Sequence, residues 1–375
     1  MNTHGLSSLA EFLGDRVVYR NLDVQDPSLP RFQTIAQQIG LTENRIPRKS
    51  ERAYGQIVAK LLQTAMQKDL SGHAIKDLIF VGDTRMNDGT AFINICQAGN
   101  WNGIAFIGNE KDQPADIQKD PGFELPLYNA NRWSTLQTFE TVCQQHNIHI
   151  NEQCAVVFDL DKTSLGARGR NDAAIDHART QAAEDVVHAI LGHDFNSENF
   201  YKTYHLFNQI EFHSFTTDNQ DYLVYLCMLA SAGVINPDQL SDQIRSGSLR
   251  SFEAFANILQ ARQPAFPRAI QETQADFYQS LQIGDPTPFK AFRHQEYLNT
   301  VTAMRTPATF NDEQLKYTIC ITEEVRQFAL ACKQKGALLF GLSDKPDEAS
   351  LPGEELAMLG YQALHRTPMI SVSQP

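Results

Sequence analysis

An apolar run, Ala155-Val156-Val157-Phe158, stops abruptly at Asp159-Leu160-Asp161-Lys162-Thr163, with two carboxylates one residue apart. This pattern predicts a buried strand whose carboxyl end carries the acids. In open α/β sheets that end is where ligands bind. Two anionic side chains so close repel unless a cation or a proton lies between them. The turn therefore points to a hard metal ion and to chemistry on an anionic substrate.

The chain has 375 residues, which fits two domains or one domain carrying a large insertion. Its hydrophobic fraction of 42% is enough for a substantial core. A net charge of -12, with no basic run and no zinc-ligand spacing, argues against nucleic acid as a partner. The six cysteines, Cys96, Cys143, Cys154, Cys227, Cys320 and Cys332, form no CxxC pair and read as buried thiols in a reducing compartment. No basic and apolar leader pattern opens the chain, and no apolar stretch approaches the roughly 18–20 residues of a membrane span. The expectation is a soluble cytoplasmic protein with no membrane partner. No apolar stripe stands out that would indicate an oligomeric state.

Residues 51–69 predict an amphipathic helix, with Tyr54, Ile57, Val58, Leu61, Leu62, Ala65 and Met66 on one face and Ser50 placed to cap it. Leu29, Phe32, Ile35 and Ile39 predict a short helix before it, packed near Lys49. The run Leu78-Ile79-Phe80-Val81 predicts a strand ending at Gly82-Asp83. A helix near residues 91–97 and a strand at 103–108 follow. Such alternation implies a parallel sheet with helical crossovers. Residues 110–133 carry Pro114, Pro121 and Pro126 and read as a loop or linker, with a helix at 134–146 after it. From about 170 to 320 helical patterns dominate. Aromatics from Phe200 to Tyr225 interleave there, more in the manner of core packing than of a ligand pocket. Thr322 is placed to cap a helix that Gly336 ends, and Ala337–Leu342 predicts a strand stopping at Ser343.

Three apolar strands thus end in polar clusters: Asp83 with Asp88, Asp159 with Asp161, and Ser343-Asp344-Lys345. With these residues the chain resembles the haloacid dehalogenase (HAD)-like hydrolase superfamily. Phe158-Asp159-Leu160-Asp161-Lys162-Thr163 is similar to its first motif and Leu339-Phe340-Gly341-Leu342-Ser343 to its second. Val81-Gly82-Asp83-Thr84-Arg85-Met86-Asn87-Asp88 is similar to its fourth. The order departs from the family's, because the fourth-like motif precedes the first. That is the order of a circular permutant opened between the second and third motifs, with the segment around 110–133 joining the usual termini. Closely spaced termini make such a rearrangement physically tolerable. The resemblance implies a Rossmann-like three-layer α/β/α core with a parallel sheet over 1–169 and 321–375. It also implies an inserted, mostly helical cap domain over 170–320 that covers the active site.

The roles implied by the resemblance follow residue type. Asp159 would be the nucleophile, forming an aspartyl-phosphate, and Asp161 the acid and then the base. Asp83, Asp159, the Asp161 backbone carbonyl and Asp88, directly or through water, would hold Mg²⁺. Ser343, Thr163 and a lysine would bind the phosphoryl oxygens. Lys49 is the chosen lysine, with Lys60, Lys68 and Lys345 competing. Lys162 stands where many relatives have glycine or a small residue. Arg168 and Arg170 lie at the hinge into the insertion, to contact substrate or face solvent. His205 and His213 lack ligand spacing and carry no role. The implied activity is a Mg²⁺-dependent phosphatase of a small phosphorylated metabolite. A phosphotransferase and a catalytically silent regulatory or binding protein are the alternatives.

Overall fold

The computed structural model describes residues 1–41, 45–305 and 311–374. The chain divides into two units, Met1–Ala178 with Thr300–Pro375, and Arg179–Asn299. The divisions fall inside helices Ala173–Leu191 and Lys290–Met304, whereas the sequence pattern placed the boundaries near 169 and 321.

The first unit is mixed α/β. Among the described residues its strands are β1 (Asn2–Ser7), β2 (Val17–Val18), β3 (Asp77–Gly82), β4 (Asn102–Gly108), β5 (Ile117–Lys119), β6 (Leu127–Ala130), β7 (Cys154–Asp159), β8 (Ile321–Thr322), β9 (Leu338–Leu342) and β10 (Met369–Ser373). Seven of them form one sheet in the order β2-β9-β7-β3-β4-β6-β5, and β1, β10 and β8 form a small second sheet. Within the large sheet every pairing is parallel except that of β5 with β6. β3, β7 and β9 are buried at every position, as inner strands covered on both faces must be. This explains why they read as continuous apolar runs.

The three strands that carry the acids and the serine lie side by side. Val81 pairs with Phe158, and Asp159 with Leu342. All three therefore deliver their carboxyl ends to one edge of the sheet. Helices cover both faces. Phe80, Val157 and Phe340 share a core cluster with Tyr54, Ile57, Leu61 and Phe92 of helices Arg52–Asp69 and Asn87–Gly99. On the other face Phe158 meets Phe328 edge-on at 6.4 Å, and Phe106 meets Phe139 at 5.2 Å.

Several local expectations need correction. Residues 110–133 are not a plain loop, because β5 and β6 lie within them and extend the sheet beyond β4. Three- and four-residue strands flanked by prolines are too short to show a period. Glu51, not Ser50, precedes the first turn of helix Arg52–Asp69, and it makes no side-chain cap bond. The Thr322 hydroxyl does not cap its helix either; it donates to the Thr163 carbonyl at 2.5 Å. The 134–146 helix divides into a 3₁₀ segment, Trp133–Thr138, and an α-helix, Phe139–Gln145.

The second unit is helical throughout its regular structure. Its aromatics form a packed core that includes Phe200, Tyr204, Phe207, Phe212, Phe215, Tyr222 and Tyr225. Tyr222 stacks on Phe252 and Tyr225 on Phe277, with ring centroids 3.9 and 4.0 Å apart. Among the described residues no helix is long and apolar enough to cross a membrane. All six cysteines are buried free thiols.

Candidate metal and phosphoryl-transfer site

The site begins with chain reversal at two neighbouring strand ends. After β7 the backbone folds back on itself. Ser164 donates through its amide and its hydroxyl to the Asp159 carbonyl, at 3.3 and 2.8 Å, and the Leu165 amide donates to Leu160 at 2.8 Å. Lys162 sits in this turn at φ +63°, the left-handed region. That position favours glycine, which is a physical reason for a small residue there.

After β3 a second turn is closed by Asp88, in the first turn of helix Asn87–Gly99. Its Oδ2 accepts from the amides of Asp83 and Thr84, at 3.0 and 2.9 Å, and from the Thr84 hydroxyl at 2.8 Å. Gly82 has no room for a side chain, since a Cβ would lie 2.6 Å from Asp88 Oδ2.

These two turns bring Asp83, Asp88 and Asp159 together. Each is buried, and one carboxylate oxygen from each lies within 4.8 Å of the others. Lys49 enters from the segment before helix Arg52–Asp69. Its ammonium, 4% exposed, donates to Asp88 Oδ1 at 3.0 Å and to Asp159 Oδ1, and stands 3.9 Å from Asp344. Lys49, the chosen lysine, thus pairs with two acids of this site. Arg168 donates through Nε to Asp83 Oδ2.

The electrostatics follow from burial. Burial raises the Asp159 carboxyl far above its usual range; Asp88 and Asp83 push the same way and Lys49 opposes. Burial and Asp88 raise Asp83 to about 7, against the pull of Arg168. Asp88 falls below its usual value, because Lys49 and the Thr84 hydrogen bonds outweigh its burial. Burial alone would lower Lys49, but Asp159 and Asp88 carry it well above the ordinary lysine value. Were all three carboxyls ionised, Lys49 and Arg168 would leave the triad one positive charge short; the raised Asp159 and Asp83 reflect that excess.

The donor set fits a hard divalent cation. The ligands are carboxylates, and Asp83 Oδ1 and Asp159 Oδ2 have no hydrogen-bond partner among the described residues. Asp88 has both oxygens engaged by protein donors, so it positions its neighbours.

The remaining expected residues stand as follows. Asp161 is half-buried, outside the carboxylate triad, with its backbone bridged to Leu165. Ser343 is buried just beyond the β9 residue that pairs with Asp159, and its Oγ accepts from the Lys345 amide at 3.0 Å. Thr163 is fully buried, and its hydroxyl finds no hydrogen-bond partner among the described residues. Arg170 faces neither solvent nor the acid triad. It is buried between Glu324, at 2.8 and 3.0 Å, and Glu110, at 2.9 Å.

Two supporting residues escaped the sequence reading. Thr84 donates twice to Asp88. Arg20 donates to the Pro47 and Ile46 carbonyls, at 2.9 and 3.4 Å, and so holds the segment that delivers Lys49. Thr84 lies inside the GD-plus-acid turn and was open to notice. Arg20 carries no local signal, since its partners are backbone atoms 26 and 27 positions away. Comparison with family models, with curated proteins and with solved structures finds no match for this chain.

Proposed function

We propose that the protein is a Mg²⁺-dependent phosphatase of small phosphorylated metabolites, of the HAD-like type with permuted motif order. One observation carries this reading. Three buried carboxylates and one lysine, drawn from segments around residues 49, 83–88 and 159, converge at adjacent strand ends. Burying several like charges together is costly unless a cation offsets them, so the arrangement favours a divalent ion.

Asp83 and Asp159, with the Asp161 carbonyl, would hold the ion, and Asp88 would fix their turn. Bound Mg²⁺ supplies charge neutralisation between the nucleophile and the phosphate. Lys49 orients the Asp159 carboxylate through Oδ1, and that carboxylate attacks phosphorus. The phosphorus–oxygen bond to the leaving group breaks, and Asp161 gives that oxygen its proton. Asp161, now a carboxylate, takes a proton from water. The resulting hydroxide attacks phosphorus, and phosphate departs from Asp159. Lys49 and Ser343 would bind the phosphoryl oxygens.

The test is release of phosphate from a generic aryl phosphate with Mg²⁺. Asp159→Asn should abolish release and EDTA should suppress it. Turnover that survives Asp159→Asn removes the covalent mechanism. No release across a broad panel of phosphorylated metabolites favours a binding or regulatory role instead.

A further inference from the structure

Arg168 and Arg170, two positions apart, have different environments. Arg170 is 1% exposed and locked by two glutamates and the Val372 carbonyl. The Arg168 side chain is 32% exposed and binds a single carboxylate through Nε. Its two terminal nitrogens have no hydrogen-bond partner among the described residues. Its backbone is fixed, however. The Arg168 amide donates to Lys162 at 2.7 Å, and its carbonyl accepts from the Glu110 amide at 2.8 Å and from the Trp133 indole at 3.2 Å. Gly169 follows at φ +78°, where a Cβ would lie 2.2 Å from the Glu110 carbonyl. Only the side chain is free to turn.

We infer that Arg168 is a substrate-binding residue with two stations: it neutralises Asp83 while the cation is absent, and it turns to the phosphoryl oxygens when a divalent cation takes Asp83. The inference rests on the metal-dependent reading of the acid triad. Arginine cannot shed its charge, so a guanidinium on Asp83 Oδ2 and a divalent cation on Oδ1 would repel across one buried carboxylate, and the two compete for it. Once displaced, a guanidinium favours a nearby anion that accepts two parallel hydrogen bonds, as a phosphoryl group does. One carboxylate oxygen of Asp83 and one of Asp159 lie within 4.8 Å of each other, so a group on Asp159 is within reach of this side chain.

The experiment measures Mn²⁺ affinity by the free-ion electron spin resonance signal, then inorganic phosphate affinity by calorimetry at saturating Mn²⁺. It uses the full chain as wild type, Arg168→Met and Arg168→Lys. Arg168→Met should bind Mn²⁺ about tenfold tighter and phosphate about tenfold weaker, opposite shifts that a purely structural residue does not give. Arg168→Lys, which keeps the charge, should fall between the two and serves as the folded control. Unchanged or weaker Mn²⁺ binding in Arg168→Met overturns the competition. Unchanged phosphate binding overturns the second station, and absence of Mn²⁺ binding in all three proteins overturns both. Opposite shifts in a protein that hydrolyses no phosphate ester would refute the phosphatase and keep the inference. Hydrolysis without the shifts would do the reverse.

Discussion

Lys49 Nζ lies 3.0 Å from Asp88 Oδ1 and also donates to Asp159, so one ammonium joins residues 39 and 110 positions away. Its side chain is 4% exposed and those of the two aspartates 1% and 7%. Such a group is held by its partners, and removing it leaves buried charge uncompensated.

Lys49→Met should therefore destabilise the cation-free protein by about 3 kcal/mol. A divalent cation should recover part of that loss by neutralising the same carboxylates. Urea unfolding with EDTA and with Mg²⁺ measures both quantities. Equal stability of Lys49→Met and wild type in EDTA would contradict a buried ion pair.

Gly82→Ala places a methyl group against Asp88, 2.6 Å from Oδ2 and 2.8 Å from its Cβ. Overpacking of this kind costs about 1–3 kcal/mol. Because Asp88 also holds the amides of Asp83 and Thr84, the acid triad should shift as well. The expected result is a lowered melting temperature together with weaker Mn²⁺ binding. A variant with normal stability and normal cation affinity would show that the turn tolerates the methyl.

In EDTA, stability should fall as pH rises from about 4 towards 7. The folded state holds the Asp83 proton up to about pH 7, whereas the unfolded chain releases it near the ordinary value of 3.8. Asp159 is raised in the same direction. Between these values the native state binds more protons than the unfolded state, so raising pH favours unfolding. The slope is at most about 1.4 kcal/mol per pH unit for each such group. Below pH 4 this contribution is fully present. Mg²⁺ should reverse the trend, with a larger rise in melting temperature at pH 8 than at pH 5.5. Thermal melts across that range check the sign, and an equal Mg²⁺ shift at both pH values would count against the assignment.

Lys162→Gly should stabilise the protein. The left-handed backbone at φ +63° costs a non-glycine residue about 1 kcal/mol. The Lys162–Asp176 ion pair lost in exchange is 2.7 Å long but partly exposed, and such pairs contribute little. Denaturant titration should show a gain of a few tenths to about 1 kcal/mol. A loss would mean that the lysine stabilises the turn in a way its geometry does not show.

Much of the sheet was legible in the chain. Leu78–Val81, Val156–Phe158 and Leu338–Leu342 read as strands because inner parallel strands are apolar at every position. Helix Arg52–Asp69 read as a helix because only one face is buried. β5 and β6 did not read as strands, since three or four residues between prolines carry no period. The cap bonds expected of Ser50 and Thr322 were wrong for a related reason, because side-chain oxygens go to whichever donor or acceptor the packing brings near.

The sequence by itself determined which residues stand at the ends of buried strands, and hence that Asp83, Asp159 and Ser343 share one edge once the strands pair. The tertiary structure alone decided that Lys49 enters the triad, that Arg168 takes Asp83 while Arg170 turns inward to Glu110 and Glu324, and that Arg20 holds the approach to Lys49. Strand burial is written in local hydrophobic pattern. Which long cation meets which carboxylate depends on packing between segments up to 154 residues apart, and no local pattern encodes that.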